Sequence, residues 1–121
     1  MRLNINNKMF NQKNRLRKTK EIENAFKIGR SFYNNILGFK VIKNDLEESR
    51  FCIIISSKVS KKAVVRNKIK RRIRYIINSD LTKIKKSFDI IVIVNKNIID
   101  LGFSDLKNSV VDSLKKLNLY V

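Results

Sequence analysis

Residues 50–77 read RFCIIISSKVSKKAVVRNKIKRRIRYII, and a change of period inside that stretch decides the fold. Arg50 to Ser56 is a short, β-branched apolar run without polar alternation, the pattern of a strand covered on both faces. From Lys61 to Ile77 the period becomes helical: Val65, Ile69, Ile73 and Ile76 recur at spacings of four, four and three and form one apolar stripe. Arg66, Lys70 and Arg74 run along the edge of that stripe, with Asn67 and Arg71 beside them. The helix therefore has one face for a core and another that is basic. Residues 87–94, SFDIIVIV, repeat the buried-strand pattern, so strand, helix and strand make a β-α-β unit.

Working outward, residues 31–43, SFYNNILGFKVIK, are strand material interrupted at Asn34 and Asn35, with Leu37, Phe39 and Val41 on one face. Asp45 to Ser49 is a turn carrying three acids. Thr19 is the expected N-cap of a short helix over Lys20–Ile28, with Ile22, Ala25 and Phe26 on one face and Gly29 at its end. Ser104 is the expected N-cap of a last helix to about Leu117, with Leu106, Val110, Leu114 and Leu117 facing inward. Residues 1–12 are polar, Asn-rich and aperiodic, a flexible tail ahead of a single domain over 13–121. The order α-β-β-β-α-β-α predicts an α/β (α+β) two-layer sandwich. One mixed sheet of about four strands carries three helices, with Phe88–Val94 beside Arg50–Ser56 at the sheet centre.

The chain has 121 residues, 28 of them Lys or Arg and 10 Asp or Glu, a formal charge of +18. Its single Cys and lack of His rule out an intramolecular disulfide, Cys/His zinc sites and Ser-His-Asp triads. No apolar run is long enough to span a membrane, and the first residues lack a signal-peptide core, so a cytoplasmic protein is expected. The charge is partitioned. Residues 1–30 carry net +7 and residues 58–86 net +11, while the remaining two segments are neutral. Such partition points to a polyanionic partner rather than to an evenly solvated surface. Lys outnumbers Arg 19 to 9, yet Arg66, Arg71, Arg72 and Arg74 fall within nine residues, and Arg15 and Arg17 sit together. A guanidinium offers a planar fork for bidentate phosphate contacts, so these positions need its geometry as well as its charge.

The stretch Ser57 to Arg74 resembles the signature of the bacterial ribonuclease P protein subunit. That family carries Ala-Val-x-Arg-Asn-x-x-Lys-Arg-x-x-Arg, matched here by Ala63, Val64, Arg66, Asn67, Lys70, Arg71 and Arg74. Asn14 to Lys18, followed by a helix bearing Phe26 and ending in Gly29-Arg30, also resembles it, and the likeness covers roughly residues 14–117. The resemblance implies a left-handed β-α-β crossover. It implies a cofactor to a catalytic RNA that removes 5′ leaders from precursor tRNA, with Mg²⁺ held mainly by RNA and no catalytic residue in the protein. The catalytic RNA would be bound by Lys61, Lys62, Arg66, Asn67, Lys68, Lys70, Arg71, Arg72 and Arg74. The precursor leader would be bound by Arg15, Arg17, Phe26, Tyr33, Phe39 and Lys58, with Phe32 and Lys40 also to hand. Phe26 is the preferred stacking residue, while Phe51, Phe88 and Phe103 are assigned to core or loops.

Three other classes fit less well. A ribosomal protein with a structural RNA-binding role is the alternative. A protein nuclease acting alone needs clustered acids or His; His is lacking, and the clustered acids Asp45, Glu47 and Glu48 sit in a turn of the neutral segment, as solvated turn acids do. A helix-turn-helix regulator needs a second helix before residue 63, where the sequence is strand-like.

Overall fold

In the computed structural model, which describes residues 12–121, the apolar runs form a four-stranded mixed sheet of order β1-β2-β4-β3. The strands are β1 (Arg30–Tyr33), β2 (Leu37–Lys43), β3 (Arg50–Ile54) and β4 (Phe88–Val94). Among the described residues three α-helices accompany them, α1 (Thr19–Ile28), α2 (Ala63–Ser79) and α3 (Phe103–Lys116). β1 and β2 form an antiparallel hairpin, β2 pairs antiparallel with β4, and β3 lies parallel to β4 across α2. The expected order of elements holds. The expected tail over residues 1–12 falls, except for Gln12, outside the described residues.

The break at Asn34 and Asn35 is a turn held by a side chain. Asn34 Oδ1 accepts from the backbone N–H groups of Ile36 and Leu37, both at 2.8 Å. This Asx arrangement adds to the backbone bond from Asn34 N–H to the Leu37 carbonyl at 2.9 Å, which closes the turn.

Strand alternation divides the core. Leu37, Phe39 and Val41 of β2 and Ile90, Val92 and Val94 of β4 face Ile73, Ile76 and Ile77 of α2 and Val110 and Leu114 of α3. Ile91 points the other way, onto Ala25 of α1 and Leu16. The sandwich of sheet with α2 and α3 is thus as expected, and α1 adds a helix on the opposite face. Arg50–Ile54 differs from expectation: β4 lies between β2 and β3, so β3 is an edge strand rather than a central one. The N-terminal segment reaches its outer side through one parallel bridge from Arg15 to Phe51, with Leu16 N–H donating to Phe51 O at 3.0 Å.

All three helix starts shift by a residue or two, with α2 running from Ala63 to Ser79 in place of Lys61 to Ile77. Thr19 is the first residue of α1, after Lys18, and no side chain caps the helix. Glu21 in the first turn complements the helix dipole instead. α3 begins at Phe103 after Gly102, ahead of Ser104, and the Phe103 ring meets Tyr75 of α2, with ring centroids 6.0 Å apart. Gly29 does end α1, for a reason of space. Its φ is −72°, and an added Cβ would overlap the Ala25 carbonyl oxygen and lie 2.9 Å from that of Val41. The loop 56–62 needs no glycine, since Lys58 N–H and Lys62 N–H donate to the Ser56 and Ser60 hydroxyls, each at 3.2 Å.

Candidate nucleic-acid interface

Helical geometry sorts the basic residues of α2 into two flanks, because residues three and four apart share a side. Asn67, Lys70, Arg71 and Arg74 follow one flank; Lys68 and Arg72 follow the other, with Tyr75. Neighbours show where each flank looks. Tyr75 meets Phe103, so its flank borders α3. Arg74 borders β3 and the N-terminal segment, where Arg15, Leu16, Arg17, Phe51, Cys52, Ile53 and Arg74 line a cavity of about 270 Å³. Residues assigned from sequence to two different RNA partners, Arg15 and Arg17 on one side and Arg74 on the other, therefore converge on one cavity.

The electrostatics of that cavity are those of like charges held close. Burial, together with Arg15 and Arg71 alongside, holds the Arg74 guanidinium below its usual value, although arginine stays cationic at any physiological pH. Burial pushes the Cys52 thiol up, against the pull of Lys70 and Arg74, so it stays protonated at neutral pH. Among the described residues none of Arg15, Arg17, Lys70, Arg71 and Arg74 makes an ion pair. Repulsion of this kind is relieved by an anion from outside.

The remaining α2-associated residues divide between work inside the fold and free display. Arg66 donates from Nη1 to the Ser60 carbonyl at 2.8 Å and so fastens the preceding loop as well as carrying charge. Lys61 and Lys62 are exposed just before α2, and Lys58 is exposed in the loop. No side chain caps the start of α2.

The sheet face beneath α1 is arranged in cross-strand rows. Tyr33, Gly38, Ile93 and Ile54 make one row; Ser31, Lys40, Ile91 and Cys52 the next; Ile42, Asp89 and Arg50 the third. α1 packs over Ile91 and Ile42. Tyr33 is 58% exposed on this face, and Phe26 of α1 is 40% exposed. Lys40 Nζ donates to Ser31 Oγ at 2.6 Å. Phe39 is a correction: it is 0% exposed and packs in the core with α2 and α3, so it offers no stacking surface. The period-two pattern that placed it with Leu37 and Val41 was the better guide. Phe32 also turns to that core, being on the opposite face of β1 from Tyr33. Of the three phenylalanines assigned to core or loops, Phe51 is buried and Phe88 half-buried, whereas Phe103 is exposed at the start of α3.

Arg50 is the residue that sequence reasoning passed over. Its Nε and Nη2 donate to Asp89 Oδ1 and Oδ2 at 2.8 and 2.7 Å, and Nη1 and Nη2 donate to Glu21 Oε1 and Oε2 at 3.2 and 3.1 Å. Asn44 Nδ2 adds a bond to Asp89 Oδ1 at 2.8 Å. The hydrogen bonds to Asp89 raise the Arg50 pKa further above its normal range. This fork ties α1 to β3 and β4. The signal was present in the sequence: an Arg stands in a neutral segment of a chain that otherwise prefers Lys. Among the described residues, no three Asp, Glu or Cys side chains converge to hold a cation. Glu21 of α1 and Asp89 of β4 are taken up by Arg50.

A basic α+β domain with unpaired guanidinium groups at one sheet edge and an aromatic-bearing face under a single helix defines a class: a protein built to hold a polyanion. The comparisons give the class its family. The ribonuclease P family model matches residues 10–118. The ribonuclease P protein component of Clostridium kluyveri is 36% identical over 108 residues, covering 88% of this chain and 96% of that protein. That of Clostridium botulinum strain 657 is 33% identical over 110 residues, covering 90% and 98%. Among solved structures, the RNase P protein of Thermotoga maritima in complex with 1-(4-fluorophenyl)-2-thiourea superposes with a TM-score of 0.78. It is 33% identical and covers 84% of this chain and 97% of its own. A Staphylococcus aureus RNase P protein mutant with defective mRNA degradation activity gives 0.86 at 28% identity, covering 99% and 100%. This chain belongs to the ribonuclease P protein family, and its RNA partner is that of ribonuclease P. The ribosomal alternative is thereby set aside.

Proposed function

We propose that this protein serves the catalytic RNA of ribonuclease P in the cytoplasm by binding the single-stranded 5′ leader of precursor tRNA while it grips that RNA. The observation that carries the proposal is the convergence of Arg15, Arg17 and Arg74 on one cavity, without acidic partners among the described residues. The flank of Asn67, Lys70, Arg71 and Arg74, with Lys61, Lys62 and Arg66 at its start, takes the phosphates of the catalytic RNA. The open rows beneath α1, with Tyr33 and Phe26 exposed and Lys40 beside them, suit unpaired bases, which need a stacking surface and nearby cations. Arg17 and Lys58 extend the charge along that path, and Lys68 and Arg72 on the α3 side of α2 widen the RNA footprint. Chemistry falls to the RNA, with Mg²⁺ held mainly by RNA phosphates, while Glu21 and Asp89 are occupied by Arg50.

The test is to incubate RNA-free protein with precursor tRNA and Mg²⁺, with and without a transcript of the ribonuclease P RNA. The expected result is cleavage at the mature 5′ end only when the transcript is present, with the protein increasing the preference for precursor over mature tRNA. Cleavage by protein alone, surviving rigorous removal of RNA, overturns the proposal.

A further inference from the structure

Gly38 is the second residue of β2, and glycine within a strand normally weakens it by leaving nothing to pack. No glycine among the described residues has a positive φ, so Gly38 is not there to permit an unusual backbone. It is nevertheless buried. What covers it is Tyr33, its cross-strand partner in the hairpin. A Cβ added at Gly38 would overlap Tyr33 Cδ1 and lie 2.5 Å from Cε1, with Cγ 3.6 Å away. The Cδ1–Cε1 edge of the ring thus occupies the space that a side chain would take. The ring rests on bare backbone and still leaves 58% of the residue open to solvent. The three heavy atoms nearest the added Cβ all belong to the Tyr33 ring, so a methyl group there would first displace an exposed aromatic.

We propose that Gly38 is a positioning residue for leader binding: by leaving its place on the sheet empty, it seats the Tyr33 ring at the height and angle at which a leader base can stack on it. The proposal rests on the reading of this face as the leader site. It adds that a residue without a side chain sets the geometry of the contact. A base stacks well only at a defined separation and offset, and a ring displaced by a methyl group loses that fit. Lys40 and Ser31 occupy the neighbouring row, so the displaced ring has no equivalent seat along β2.

The experiment uses the assembled holoenzyme and compares Gly38→Ala, Tyr33→Ala and the double variant. It reads the affinity for precursor tRNA with a single-stranded leader, the affinity for mature tRNA, and the melting temperature of the free protein. The expected result is that Gly38→Ala weakens precursor binding on the order of tenfold, the scale of one lost base–aromatic stack. Mature tRNA should bind as before, and melting should be unchanged or raised, because Ala suits a strand better than Gly. The double variant should match Tyr33→Ala alone, since a displaced ring and an absent ring are equivalent. If Tyr33→Ala weakens precursor binding while Gly38→Ala does not, the seat is dispensable; the inference falls and the leader site stands. If Tyr33→Ala binds precursor as the parent does, the leader site at Tyr33 fails and the inference fails with it. A Gly38→Ala protein that melts earlier or loses precursor and mature tRNA alike gives Gly38 a structural role and also overturns it.

Discussion

Arg71 stands exposed on the flank of α2 that also carries Arg74, with no acid paired to it among the described residues. Its replacement by Ala should weaken assembly with ribonuclease P RNA and lower the slope of log affinity against log salt by about one unit, the signature of one lost phosphate contact. Arg71→Lys should recover part of the affinity, because charge returns without the planar fork. Equilibrium binding across a salt series checks both. Phe26 makes a different test. At 40% exposure on α1 it has enough free surface to meet a base. Phe26→Ala should cost about 1–3 kcal/mol in precursor binding and leave mature tRNA unaffected. A fall in melting temperature with leader discrimination intact would instead return Phe26 to the core.

Two tethers decide how the elements sit. The Arg50 fork joins α1 to β3 and β4, and Asp89 beneath it is buried. Arg50→Ala strips that carboxylate of its partner and should destabilise the protein by about 3 kcal/mol. Arg50→Met with Asp89→Leu should be far less costly, since it removes both charges together. Denaturant unfolding of the three proteins separates these outcomes. At the other end of the fold, Tyr120 Oη donates to Asp80 Oδ2 at 2.7 Å and fastens the C-terminal residues to the end of α2. That hydrogen bond raises the Tyr120 pKa above the usual tyrosine range. A phenol whose folded pKa is raised contributes stability that is complete below the unfolded value near 10 and is lost as pH rises through the folded value. Tyr120→Phe should therefore lower stability by roughly 1 kcal/mol at neutral pH and remove this alkaline component of the stability profile.

For the whole molecule the governing quantity is a net charge of +18 gathered into two segments. The fold brings them together at the β3 edge, where Arg15 and Arg17 meet Arg74. The free protein should accordingly gain thermal stability as salt rises from about 0.05 to about 0.5 M, because shorter screening lengths weaken that repulsion. Holoenzyme assembly should weaken over the same range as counterion release loses its advantage. Melting curves and RNA-binding curves in one salt series should move in opposite directions.

Periodicity was sufficient for the elements because it is a local property. The stripe Val65, Ile69, Ile73, Ile76 and the apolar runs at 50–56 and 87–94 can fold in few ways, and α2, β3 and β4 follow from them. The partition of charge and the motif from Ala63 to Arg74 likewise marked the basic helix and the family from sequence. What sequence could not supply was sidedness across strands. Period two already set Phe39 on the face of Leu37 and Val41, but which face packs on α2, and that Tyr33 is seated on Gly38, follow only from the register. The Arg50 fork and the cavity shared by Arg15 and Arg74 join residues 29 to 59 positions apart. Such pairings are set by strand order and by where α1 lands on the sheet, and they exist only once the chain has closed on itself.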